Sequence, residues 1–357
     1  MFVAVTDIDY GSMDAQRRSA FIHNRHSSNT TSQIDKLMQH ITIPNTDLTV
    51  SPICLGCANL GVKNTEEEAF ALLDAFTASG GNFLDTARVY SNWIPGELNR
   101  SERIIGDWLD SRNNRDRIVL ATKGAHPILG TTDDRLSSSH IEADLLGSLE
   151  SLRASIIDLY YLHRDEPGRP VAEIIDTLHM HQQAGRIGHY ACSNWHPDRI
   201  VEAQTYAHSN GMSGFVANQM RWSLAGMSVG PPKDPTMRAM DASTYDLHIE
   251  SGLAAIPFGS QAGGYFTKLA VDPASAEKSA FHNEANQNLL QTLQSGASAN
   301  ATITQIALAW LIAQPFTTIP IIGSRNLGQL KDSLPAAGIV LPNELLDALN
   351  RAVQSAS

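Results

Sequence analysis

Short apolar runs bounded by polar and turn-forming residues recur eight times along the chain, with longer stretches of 3.6-residue periodicity between them. The runs occupy residues 52–56, 82–87, 117–123, 157–163, 187–193, 214–219, 253–258 and 317–322, as in RIVLATK and IDLYYLH. Their length and their β-branched and aromatic content predict strands buried on both faces. The intervening EEEAFALLDAFTASG, SERIIGDWLDSR, HIEADLLGSLESL, VAEIIDTLHMHQQAG and ITQIALAWLIAQ read as amphipathic helices, several ending at glycine as helix C-caps do. Strands alternating with helices imply parallel crossovers, and eight such units predict an α/β protein of the (β/α)8 TIM barrel type.

Residues 1–42 break the rhythm. They are polar, with SSNTTS in the middle, and are expected to form a mobile arm or a cap under the barrel. The remaining residues, 43–357, are expected to be one catalytic domain, since such barrels run to ~250 residues or more as a single unit. A net charge of −11 repels phosphate backbones and disfavours nucleic acid as a partner. MFVAVTDIDYGS lacks the apolar core of a signal peptide, and no run reaches the ~18 apolar residues of a membrane span. A cytoplasmic protein is expected. The three cysteines, Cys54, Cys57 and Cys192, are too few and odd in number for a disulfide framework. Cys54 and Cys57 form CLGC, which without a second such pair reads as structure and not as a zinc site.

Candidate chemistry sits where the runs end. Asp85 and Tyr90 follow the second run, Lys123 closes the third and His163 the fourth. In a closed barrel these ends converge on one face. A tyrosine with a pKa near ~10 is a weak acid at neutral pH, but an adjacent ammonium such as Lys123 lowers that value. Asp85 can fix the lysine, and His163 can offer a second hydrogen bond to the oxygen that Tyr90 protonates. The quartet suits proton delivery to a carbonyl oxygen, and it needs a hydride source from outside the side chains.

From SPICLG at Ser51 to SLPAAGIVL near Leu341 the sequence resembles the aldo-keto reductase family, with its blocks in the expected order. The resemblance implies a catalytic tetrad at Asp85, Tyr90, Lys123 and His163, NADP(H) as cofactor and a small-molecule carbonyl as substrate. In CSNW and ANQM, Ser193, Asn194 and Gln219 match the grip on the nicotinamide carboxamide. Phe258 stands where a ring stacks on the nicotinamide, although many members carry tyrosine there. Gly259, Ser260, Gln261 and Gly263 look like the pyrophosphate loop. In IPIIGSRNLGQLKDSL, with Gly323, the adenosine 2′-phosphate falls to Arg325, at a helix start where anions are favoured. Gln329 and Asp332 fall near adenine, and Ser333 replaces the usual asparagine. Leu48 to Val50 matches the small hairpin that closes the barrel bottom in the family. A GxGxxG after a strand and a GxxxxGK[ST] are both missing, which disfavours Rossmann and P-loop readings.

Two segments, 91–100 and 268–300, exceed what a minimal barrel needs and read as long loops carrying specificity. Trp93 in the first, and Trp222 after the sixth run, either wall the substrate pocket or pin their segments to the barrel. Trp108 and Trp310 fall in helical patterns and read as core. Arg88, Asn92, Arg164 and Asp165 flank catalytic positions, either as recognition groups for an oxygen-rich substrate such as a sugar or a hydroxylated natural product, in preference to a simple alkyl aldehyde, or as salt-bridged rim residues. The 13 histidines show no metal-ligand spacing, so no metal is expected. A reading of another class is a regulatory protein that keeps the fold and cofactor without turnover. Nothing in the pattern speaks to oligomeric state.

Overall fold

Parallel pairing runs without interruption through β3 (Cys54–Gly56), β4 (Phe83–Asp85), β5 (Val119–Gly124), β6 (Ile157–Leu162), β7 (Ile187–Ser193), β8 (Ala217–Gln219) and β9 (Ala254–Ala255). On the other side β10 (Ile321–Ile322) pairs with β3. The ring closes between β9 and β10, where Thr318 bridges Ala255. There the Ala255 amide donates to the Thr317 carbonyl at 2.8 Å and the Ile319 amide to the Ala255 carbonyl at 2.9 Å. The result is the (β/α)8 barrel that the periodicity predicts. The computed structural model describes residues 38–131, 133–226, 234–297 and 301–354. The expectation for an N-terminal arm therefore falls, for residues 1–37, outside the described residues.

Around the strands lie α1 (Glu66–Ala78), α2 (Arg100–Arg112), α3 (Ser138–Ser151), α4 (Val171–Gln183), α5 (Pro197–Ser209) and α6 (Ala242–Ser251). They are followed by α7 (Tyr265–Val271), α8 (Pro273–Ala276), α9 (Glu284–Gly296), α10 (Ile303–Ile312), α11 (Leu327–Ser333) and α12 (Asn343–Gln354). Local chemistry starts several of them. Thr65 with Glu68 and Thr302 with Gln305 form reciprocal capping boxes at α1 and α10, each cap contributing ~1 kcal/mol. Between strands and helices Leu55, Leu84, Leu120, Leu162 and Cys192 pack on Leu72, Ile105, Leu145 and Ile174. Inside the barrel Phe83, Ala121, Leu159, Tyr161 and Ala191 fill the lumen.

Two sequence expectations need correction. The 268–300 segment is not a long loop. Through residue 297 it is largely α8 and α9, because Leu289, Leu290 and Leu293 recur at helical spacing and bury against Ile306, Trp310 and Leu349. The boundary at residue 42 also moves. Ile41–Thr42 is β1, paired antiparallel with β2 (Thr49–Val50), and this hairpin plugs the lumen with fully buried Ile43 and Val50.

Candidate active site

Asp85 is the last residue of β4 and Lys123 lies one residue from the end of β5, so both side chains open at the same end of the barrel. Alternation along β5 turns Ala121 and Lys123 into the lumen and Thr122 outward. Lys123 is fully buried and places all three ammonium protons: on Asp85 Oδ2 at 2.6 Å, the Thr86 carbonyl at 2.7 Å and Tyr90 Oη at 3.2 Å. Tyr90 returns over the lysine through the turn after β4, its amide donating to the Ala87 carbonyl at 3.0 Å. His163, directly after β6, meets the Tyr90 ring edge-on at 5.8 Å between centroids. The four residues predicted from strand ends do meet.

Burial alone would lower the Lys123 ammonium, but Asp85 and Tyr90 outweigh it and hold the group above its ordinary range. The phenol of Tyr90 behaves differently from the sequence expectation. Desolvation is the largest influence and raises it; Lys123 pulls it down without cancelling that rise. The phenol is therefore protonated at neutral pH and held beside a cation that stabilises it once the proton has left. Burial drives His163 well below the usual imidazole range, with His126, Arg164 and Lys123 adding to it, so this ring is neutral.

A second set of residues lines the adjoining strand ends. Gln219, at the end of β8, donates its amide to Asp85 Oδ1 at 2.9 Å. Asn194 stands in the left-handed region at φ 63°, where asparagine is tolerated, and its side-chain amide donates to Ser193 Oγ at 3.0 Å and to the His163 carbonyl at 3.2 Å. Phe258 is partly buried, with the Arg221 guanidinium over its ring at 5.9 Å. Gly259 and Gly263 have φ of 67° and 63°, values that favour glycine, and Gly263 and Gly323 have open space where a side chain would stand. Ser260 Oγ donates to the Ile321 carbonyl at 2.6 Å, and Gln261 Nε2 to Ser333 Oγ at 2.9 Å. Ser333, the departure from the family pattern, thus ties the glycine loop to α11. Arg325 is exposed just before α11, and its guanidinium has no partner among the described residues. Its backbone amide donates to Gln329 Oε1 at 2.8 Å, while Asp332 accepts from Thr302 Oγ1 at 3.0 Å.

A barrel with this tetrad at its C-terminal face has relatives. A model of the Aldo/keto reductase family matches residues 52–354. The chain belongs to that family. Among curated proteins, this aldo-keto reductase is 31% identical to the uncharacterized oxidoreductase YrpG of Bacillus subtilis, over 88% of this chain and 95% of that protein. It is 29% identical to norsolorinic acid reductase stcV of Emericella nidulans, over 84% and 78% of the two chains. To aryl-alcohol dehydrogenase [NADP(+)] of Phanerodontia chrysosporium it is 30% identical, over 89% and 86%. No helix among the described residues of the reductase is long and apolar enough to cross a membrane.

The flanking polar residues of this reductase face the protein. Arg88 donates to the Gly147 carbonyl and Ser151 Oγ, both at 2.9 Å, and Asn92 Oδ1 accepts from the Asn99 amide at 2.7 Å. Asp165 pairs with Arg199 at 3.4 Å, and Arg164 with Asp234 at 2.9 Å and Thr236 at 2.8 Å. Against the upward push of burial, Thr236 and Arg164 bring the Asp234 carboxyl down to about 2. Trp222 is buried among Tyr245, Trp310 and Phe316, which makes it an anchor and not a pocket wall. Trp93 is 48% exposed and edge-on to Tyr90 at 6.4 Å.

Two features escaped the sequence reading. The 234–240 segment is clasped at Arg164 and again at Asn194, whose Oδ1 accepts from the Arg238 amide at 3.0 Å. Its only early signal was the length between Trp222 and α6. His126 packs edge-on against His163 at 4.7 Å, directed there by Ala125, which has φ 60° and donates its amide to Asp144 Oδ2 at 2.8 Å. A non-glycine residue with that backbone cannot be read from sequence.

Proposed function

We propose that the protein reduces an aldehyde or ketone carried on an aromatic or otherwise apolar framework to the alcohol, using NADPH. The observation that carries the reading is the placement of the Lys123 ammonium on Asp85, the Thr86 carbonyl and Tyr90 Oη together. Tyr90 Oη gives its proton to the carbonyl oxygen of the substrate, and Lys123 stabilises the phenolate left behind. Asp85, fixed from its other side by Gln219, keeps the lysine charged and aimed. Neutral His163 orients the substrate oxygen toward Tyr90.

The nicotinamide cofactor, when bound, supplies the hydride for the carbonyl carbon. The residues present fit it. Ser193 and Asn194 suit the carboxamide, Phe258 the ring face, the loop from Gly259 to Gly263 the pyrophosphate, and Arg325 a 2′-phosphate. Gln329 and Asp332 border the adenine end. The NADP(+) in the name of the Phanerodontia chrysosporium relative agrees with Arg325. Three free, buried thiols support a reducing compartment, and we place the reaction in the cytoplasm.

The preference for an apolar framework rests on the loops that follow the strands carrying Asp85 and Lys123. With Arg88, Asn92, Arg164 and Asp165 engaged by protein partners, the basis for a sugar-like substrate falls away. The large hydrophobic side chains exposed on the loops after β4 and β5 are Trp93, Leu98, Ile128 and Leu129. Norsolorinic acid reductase and aryl-alcohol dehydrogenase, by name, suit the same chemistry. The test is NADPH consumption over a panel of aryl aldehydes, polycyclic ketones and aldoses. Turnover confined to aldoses would overturn the substrate class, and no turnover at all would favour a cofactor-binding regulator.

A further inference from the structure

Glu102 is a carboxylic acid on the barrel face of α2 with no exposure to solvent, at a position where the helix otherwise buries Ile105, Trp108 and Leu109. It touches two elements that carry the tetrad. Oε1 accepts from Thr122 Oγ1 at 2.6 Å, and Thr122 precedes Lys123 in β5. Oε2 lies 3.5 Å from Arg88 Nη1, and Arg88 stands two residues before Tyr90. The Arg88 backbone amide in turn donates to the Lys123 carbonyl at 2.9 Å, so arginine and lysine are also joined directly. Gly147 of α3 gives the guanidinium passage, since a side chain there would collide with Arg88 Nη2.

Resting on the reductase reading above, we propose that Glu102 is a positioning residue whose ionised carboxylate, by drawing Arg88 toward Thr122, sets the contact between Tyr90 Oη and Lys123 Nζ. It touches neither substrate nor cofactor and acts through the two segments it binds. A buried, unneutralised carboxylate is costly, and burial pushes this one up to about 7, against the hydrogen bond from Thr122 and the charge of Arg88. The groups facing it are few: Arg88 from the segment after β4, the Tyr160 phenol from β6, and Ser148 of α3, with the Asp144–Arg135 pair behind the phenol. Arg88 is the cation in direct contact with it. Protonation of Glu102 removes its pull on that cation, which keeps its bonds to the Gly147 carbonyl and Ser151 Oγ, and leaves the Thr122 bond in place, so the Tyr90 segment shifts without unfolding β5.

The experiment is the pH dependence of kcat and KM for NADPH-driven reduction of an aryl aldehyde by wild type, Glu102→Gln and Thr122→Val. Wild-type kcat is expected to rise through pH ~7 by about tenfold, below the ~100-fold that a 1 Å misplacement can cost, with KM unchanged. Glu102→Gln should be flat at the low-pH value. Thr122→Val, which removes a hydrogen bond to the carboxylate, should move the inflection to higher pH. An inflection kept unchanged in folded Glu102→Gln, or a wild-type profile without one, overturns the proposal; if Glu102→Gln fails to fold, an unmoved inflection in Thr122→Val does so. Ultraviolet titration of Tyr90, with Tyr90→Phe as blank, provides a readout free of turnover. If the wild type reduces no carbonyl the reductase reading falls, and a shift of that phenol in Glu102→Gln still sustains the positioning role, whereas an unmoved phenol overturns it.

Discussion

Gln219 and Asp85 come from β8 and β4, on opposite sides of the barrel, and are joined across the lumen by a hydrogen bond of 2.9 Å. With Lys123 on the other carboxylate oxygen at 2.6 Å, Asp85 is held from two directions. Single substitutions around it therefore test its contacts one at a time.

Tyr90→Phe removes the proton donor proposed above and leaves the residues proposed for the cofactor untouched. Its kcat should fall by at least ~100-fold, the low end for a positioned acid, with NADPH affinity nearly unchanged by fluorescence titration. Lys123→Met should act similarly through loss of the ammonium beside the phenol. Near wild-type turnover in Tyr90→Phe would remove it as the acid.

Arg325 is an exposed cation whose guanidinium has no partner among the described residues, just before α11. Charge-assisted hydrogen bonds contribute ~1.5–3 kcal/mol, so Arg325→Ala should weaken NADPH by roughly 10- to 100-fold and NADH little. Calorimetric titration with both cofactors decides it. Equal losses would make Arg325 a structural residue.

Trp93 borders Tyr90 at 6.4 Å and remains half exposed. Trp93→Ala should lower kcat/KM unequally, by ~1–3 kcal/mol for the bulkiest aryl carbonyls and least for small ones. A uniform decrease with a lower Tm would instead mark Trp93 as an anchor for its loop.

Glu102 also predicts how stability changes with pH. Its folded pKa of about 7 stands above the ordinary 4.5, so between these values the folded protein binds more protons than the unfolded chain. Stability from this group is therefore greatest below pH ~4.5, declines as pH rises to ~7 and is level above that, a change of about 3 kcal/mol. Urea midpoints at pH 5 and pH 8 should show Glu102→Gln gaining on wild type by up to that amount. An equal difference at both pH values would refute it.

The barrel and the meeting of Asp85, Tyr90, Lys123 and His163 were legible because both depend on short-range pattern: apolar runs mark strands, and strand ends share one face. Lys123 and His163 needed only their place after VLAT and LYYL. The fates of Arg88, Arg164 and Asp165 were not legible, since each is decided by a partner 34 to 70 residues away or by a carbonyl on a neighbouring helix. The fall of α9 into a long polar stretch was missed for a different reason. Its leucines at 289, 290 and 293 form a narrow stripe among Asn, Gln and Ser, and composition masked the period.

The seam at which the barrel closes lies between its two shortest strands, β9 and β10, each of two residues. Few amide bonds hold it, so local opening and hydrogen exchange should be fastest there. A cofactor seated from the loop at Ser260 to Arg325 would lie across that seam, adding to the Ser260 bond with the Ile321 carbonyl and the bridge from Gln261 to Ser333. The ligand would then act as a clasp on the weakest joint of the cylinder. Saturating NADPH at 100 times its Kd should stabilise the fold by about 2.7 kcal/mol, with amide protection concentrated in residues 254–264 and 317–333.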